Sequence, residues 1–171
     1  MAATYTLIDS EVLTSSQASV TFSAIPSTYT DLVLRLGART DTAAGTGGIF
    51  VKINGSTATS SMTRVQTTNG TSAASNRATT SIWSYGLNTA TQTSSTFSSL
   101  ELYLPNYANT SANKPMGFFG VAENNATAGV VSAAAGLFSS NTAISSLLLE
   151  PLAGDNFVSG SSFYLYGISN A

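Results

Sequence analysis

The chain contains neither histidine nor cysteine in 171 residues. Without imidazole there is no Ser-His-Asp triad, no Cys-His pair, no base titrating near neutral pH and no imidazole metal ligand. Without thiols there is no thiolate nucleophile, no Cys-based zinc or iron–sulfur site and no disulfide, so the fold must support itself. Charge is scarce as well. Asp, Glu, Lys and Arg make up 8% of the residues, about a third of the roughly 25% usual in globular domains. Six Lys and Arg against eight Asp and Glu leave a net charge of −2. No basic stripe exists to neutralise a run of phosphates, which argues against nucleic-acid binding. There is no run of 18 apolar residues and no basic start followed by an apolar stretch. Neither a membrane-spanning helix nor a secretory signal is expected, and the chain looks like a complete, soluble one.

What is present is small and hydroxylated: 27 Ser and 24 Thr form about 30% of the chain, beside 43% hydrophobic residues. A chain of this length is expected to form one domain, residues 1–171, able to bury roughly 70% of the surface its unfolded form exposes.

The dominant hydrophobic period is two. In Asp31–Arg39, Leu32, Leu34, Leu36 and Ala38 share one face while Asp31, Arg35 and Arg39 occupy the other, the signature of a half-buried strand. Ser19–Ala24, Ile49–Ile53, Ser99–Leu104 and Phe163–Ile168 read the same way. Weaker candidates are Thr4–Asp9, Met62–Thr67, Thr80–Tyr85, Pro115–Ala122, Gly129–Phe138 and Ile144–Glu150. Val130–Phe138 is the best helical candidate and equally plausible as a strand. Turn signals separate these segments, including Ile25-Pro26-Ser27, Asn54-Gly55, Asn69-Gly70 and Leu104-Pro105-Asn106. Asn-Gly favours a hairpin because both central residues of a type I′ turn need positive φ. The Ser/Thr/Asn/Ala-rich stretches Asn54–Ser61, Thr67–Thr79 and Asn88–Thr96 read as long surface loops. Residues 1–18 read as an N-terminal arm or an edge strand. The expected fold is all-β, a jelly-roll-like antiparallel β-sandwich in a single domain, with an immunoglobulin-like sandwich as the alternative.

No constellation points to catalysis. Asn54, Asn69, Asn109 and Asn125 open Asn-x-Ser/Thr triplets, but a chain so rich in Ser and Thr produces such triplets by chance. Glycoside hydrolysis would require two of Glu101, Glu123, Glu150 and Asp155 across one cleft. A calcium ion held by loop carbonyls would call on Glu123 or Asp155. Gly45-Thr46-Gly47-Gly48 lacks the Lys-Ser/Thr of a phosphate loop and reads as a turn before the Ile49 strand. No catalytic, cofactor or metal residue is assigned. Trp83 and Tyr107 are the candidates for stacking on sugar rings. Leu147-Leu148-Leu149 is an unbroken apolar run in a chain that otherwise alternates, so both faces of that strand should be covered. Tyr164 and Tyr166 oppose Phe163 and Leu165, which leaves one bulky face for the core and one for a partner subunit. Leu147, Leu148, Leu149, Tyr164 and Tyr166 are therefore the interface candidates.

Ile25-Pro26-Ser27-Thr28-Tyr29-Thr30-Asp31-Leu32, Leu104-Pro105-Asn106-Tyr107-Ala108, Glu123-Asn124-Asn125-Ala126-Thr127, the run Ala135–Ile144, Gly154-Asp155-Asn156-Phe157-Val158 and Tyr164-Leu165-Tyr166-Gly167-Ile168 occur in that order. Together they resemble a family of structural proteins of tailed bacteriophages, common among marine phages, of capsid-decoration or fibre type. The resemblance runs from about Val20 to Ile168. It implies a jelly-roll-like sandwich displayed on the virion surface after assembly in the host cytoplasm, as a homotrimer. Its partners would be other copies of itself and the major capsid protein or another virion protein. It implies no catalytic or ligand residues. Heptads and repeats are absent, which favours a decoration protein over a long fibre; the alternative is a fibre or spike module that recognises a host glycan.

Overall fold

The computed structural model describes residues 4–169 apart from 44, 46, 57–59 and 124–128. Its described residues form twelve strands: β1 (Tyr5–Val12), β2 (Val20–Phe22), β3 (Asp31–Ala38), β4 (Gly47–Ile53), β5 (Ser60–Thr68), β6 (Ser72–Ala78), β7 (Ile82–Leu87), β8 (Ser98–Leu104), β9 (Lys114–Glu123), β10 (Gly129–Phe138), β11 (Leu147–Pro151) and β12 (Ser162–Ile168). One 3-10 turn, Leu152–Gly154, follows β11. The strands form two sheets, ordered β1-β12-β3-β8-β9-β10-β5-β6 and β2-β11-β4-β7. Every strand pair is antiparallel.

Setting aside the consecutive hairpins β5–β6 and β9–β10 leaves β1-β12-β3-β8 facing β2-β11-β4-β7. That is the interleaved order of a jelly roll, in which early and late strands alternate across both sheets, and it replaces the immunoglobulin-like alternative. Both hairpins add beyond β8, on the same side of the same sheet.

Alternation puts the leucines where the two sheets meet. Leu34, Leu36, Leu100, Leu102, Phe163 and Leu165 of the large sheet and Ile49, Val51, Ile53, Leu147 and Leu149 of the small one are all at most 3% exposed. Each such side chain contributes about 1.5–3 kcal/mol by leaving water. Phe157 and Phe163 meet edge to face at 4.9 Å inside this core.

Several local expectations change. Thr67–Thr79 is not a long loop, since most of it forms β6 and its turn from β5. Six of the seven residues of β6 are exposed on both faces, so the burial that creates a two-residue period never arises. Val130–Phe138 is strand; Val130, Ser132 and Ala134 face inward and Val131, Ala133 and Ala135 outward, and with Ala on both faces the alternation is muted. The strand expected over Ser19–Ala24 is shorter, because Ala24 is exposed and adopts φ 52°. Of residues 1–18, Tyr5–Val12 forms the edge strand β1. Asn54-Gly55 turns as expected: both residues have positive φ, and Ile53 and Ser56 exchange backbone hydrogen bonds of 3.3 and 3.0 Å. The Asn54 amide is fully engaged, donating to Ala143 O and accepting from the Ser145 and Ser146 amides.

Candidate functional site

The outward face of the large sheet is broad and mostly apolar. Register places Tyr164, Arg35, Glu101, Phe119, Ala133 and Val65 side by side on six successive strands. A parallel row carries Leu7, Tyr166, Val33 and Tyr103. Phe119 and Val65 are each 55% exposed and Leu7 50%, uncommon for residues of this type. The charges between these rows cancel locally, because Arg35 Nε donates to Glu101 Oε2 at 2.8 Å. The Arg35 guanidinium also lies 5.5 Å from the centre of the Tyr5 ring. Tyr103 donates its hydroxyl to Asp31 at 2.8 Å, and that bond holds the phenol above its ordinary pKa. Tyr164 and Tyr166 are half-buried on this face, and Tyr5 meets Tyr166 edge to face at 6.3 Å.

The small sheet corrects the reading of Leu147-Leu148-Leu149. Leu147 and Leu149 are 0% exposed and belong to the core, so they cannot form a surface for a partner. Leu148 alone points outward and is half-buried. Beside it Lys52 Nζ pairs with Glu150 at 2.7 Å. These two, with Phe50, Pro151, Leu152 and Asp155, line a shallow groove.

The four carboxylates considered for hydrolysis are split between the faces. Glu101 sits on the outer face of the large sheet, paired with Arg35, while Glu150 lies on the opposite side of the sandwich, paired with Lys52. Glu150 and Asp155 share the groove, and Asp155 already accepts from the Thr42 hydroxyl at 2.6 Å. Glu123 is exposed at the end of β9. Among the described residues no three Asp or Glu side chains converge on a point that could hold a metal ion. Gly47 and Gly48 open β4; a side chain on Gly48 would strike the Ser84 carbonyl at 2.7 Å, so close packing accounts for that glycine.

Of the two sugar-stacking candidates, Tyr107 is ruled out by burial. It is 0% exposed, and its hydroxyl donates to the Pro26 carbonyl. Burial pushes its pKa up. Trp83 is half-buried on β7 and meets Tyr85 edge to face at 5.3 Å. The Arg64 guanidinium lies 4.0 Å from the Trp83 ring centre and 4.2 Å from that of Tyr85, within the range of cation–π attraction. Arg64 is only 5% exposed, and its Nε and Nη1 find no hydrogen-bond partner among the described residues. Burial accordingly lowers its pKa. This stack was not anticipated. Its one sequence signal is an arginine at an inward position of β5, between Met62 and Gln66.

A second arginine organises a loop. Arg39 is buried, and its guanidinium donates to the carbonyls of Thr93 at 2.7 Å, Thr96 at 3.1 Å and Gln92 at 2.9 Å. The Asn88–Thr96 stretch, expected to be a surface loop, is thereby drawn against the sandwich, with Asn88 and Thr89 0% exposed and Gln92 6%.

No protein family, curated protein or solved structure matches the chain.

Proposed function

We propose that this chain is a non-catalytic structural protein of a tailed-bacteriophage particle, a decoration or cement protein that binds the outer capsid shell as an oligomer. The observation that supports this reading most is the outward face of the large sheet. It is wide, mostly apolar and carries an internally neutralised ion pair, which suits contact with another protein surface better than solvent. The order of turn and strand-end motifs, which resembles that of phage structural proteins, supports it from the sequence side. A partner that binds only the assembled shell lowers the free energy of that state by mass action. The test is addition of the purified protein to bare capsids: binding at fixed stoichiometry with a raised disruption temperature supports the reading, and no binding overturns it. Phe119→Asp, which puts a charge in the middle of the face, should weaken the binding.

The second reading, a fibre or spike module that recognises a host glycan, keeps Trp83 of its two stacking candidates, since Tyr107 is buried. Its support is that Trp83 stands half-buried beside Tyr85 on the small sheet's edge strand. Binding to whole cells or glycans that disappears in Trp83→Ala would favour it over the shell-binding role.

A further inference from the structure

Among the described residues the large sheet ends in two free edges, β1 and β6, and they differ in how they meet water. An open strand edge offers a row of unpaired N–H and C=O groups to any other strand, and proteins blunt such edges with charges, prolines or bulges. The β1 edge carries two of these devices. Its register is broken between Leu7 and Asp9, and it bears the carboxylates Asp9 and Glu11. The β6 edge has no break and a single charge. Its ladder with β5 runs without a break from Met62↔Ala78 to Thr68↔Ser72, and its sequence SAASNRA has no proline, no carboxylate and one cation, Arg77. Beside it the outer face forms an apolar groove of about 330 Å³ lined by Val65, Ala73, Val131 and Ala133.

We infer that β6 is a self-association edge, and that its occupant is β6 of a second copy of this chain, paired antiparallel about a two-fold axis at Ser75. The side chains suit that register. Ser75 faces its own counterpart, Ala74 faces Asn76, Ala73 faces Arg77 and Ser72 faces Ala78. Each cross-strand pair contains at least one Ala or Ser, and the two Arg77 side chains fall opposite alanine instead of each other, so no like charges meet across the ladder. Two-fold pairing closes on itself by symmetry, whereas β6 against β1 of the next copy would close only where the rotation completes a ring and would meet the break at Leu7 and Asp9. The outcome is a sheet continuous across two molecules, with the two apolar grooves brought towards each other across the axis.

The inference goes beyond the shell-binding role and is tested without it, on the free protein. Sedimentation equilibrium of the full chain should give a dimer. Ser75→Asp and Ser75→Lys each set like charges face to face and should weaken dimerisation at least ten-fold. Mixing the two variants in equal amounts should restore it as a heterodimer. Ser75 is exposed, so each variant should keep the far-ultraviolet circular dichroism of the parent. Amide exchange across Ser72–Ala78 should slow as protein concentration rises. A monomeric parent protein, an assembly that neither charge disrupts, or open-ended filaments would each overturn the inference.

Discussion

The ring of Tyr29 lies flat on Gly167, nearer to its Cα than any side chain would permit: a Cβ built there would fall inside contact distance of three ring carbons. Thr30, the next residue, donates its amide to the Ile168 carbonyl at 2.7 Å. The turn before β3 is thereby fastened to the last strand of the chain. Two segments far apart in the sequence, Ile25–Leu32 and Tyr164–Ile168, are parts of a single contact.

Gly167→Ala must displace that ring. It should cost about 1–3 kcal/mol, the range for overpacking a tight site, and lower the melting temperature by about 2–4 °C for each kcal/mol in a domain of this size. Thermal or denaturant unfolding measures it directly, and an unchanged midpoint would mean that Tyr29 swings aside freely.

The Leu147-Leu148-Leu149 run separates core from surface within three residues. Leu147→Ala and Leu149→Ala should each lose about 2–5 kcal/mol through cavity formation. Leu148→Ala, at the half-buried outward position, should lose distinctly less. Denaturant midpoints of the three variants check the order; equal losses would contradict the assignment of faces.

Arg39 is buried and holds three loop carbonyls, of which that of Gln92 is bonded in a buried setting. Arg39→Lys keeps the charge and loses the fork that reaches several acceptors at once, so stability should fall by about 1–3 kcal/mol as the Gln92 carbonyl loses its buried partner. Limited proteolysis should then cut between Asn88 and Thr96, where the parent protein resists. A variant as resistant as the parent would show that the loop is held by other contacts.

Alkaline pH should destabilise the protein through its tyrosines. Burial raises the Tyr107 phenol above its ordinary value of 10.0, and the hydrogen bond to Asp31 does the same for Tyr103. A group whose folded pKa is raised contributes its full stability below the unfolded pKa and loses it as pH climbs through the folded one. The unfolding midpoint should therefore hold up to about pH 10 and fall above it. In Tyr107→Phe the alkaline fall should be shallower, and the neutral-pH stability about 1 kcal/mol lower for the lost hydrogen bond. A fall that begins well below the phenol range would point to a different group.

The class of fold was readable because Leu32, Leu34 and Leu36, like Leu100, Leu102 and Leu104, face the core, while Arg35, Glu101 and Tyr103 between them meet water. Where that asymmetry is absent the reading failed. Ser72–Ala78 has no buried face, and the alanines of β10 look alike on both sides. The unbroken run Leu147-Leu148-Leu149 shows that two faces are covered without showing by what, so core and interface read alike there. Tyr107 reads as a sugar-stacking candidate because composition does not reveal whether a phenol meets sugar or the carbonyl of Pro26. The Arg64 stack and the Arg39 clamp join residues 19 or more positions apart through contacts with rings and carbonyls, which leave no periodic trace.

The two added hairpins are unequal in a way that bears on how such a protein can vary. β9–β10 is laced to the jelly roll through β8, whereas β5–β6 reaches the ladder only through β10. The sheet therefore has an order of accretion. A shorter relative could shed β5–β6 and keep an intact ten-stranded molecule, but one that shed β9–β10 first would leave the β5–β6 hairpin detached from the sheet. Variation in length should accumulate from the outside inward, beginning at β6.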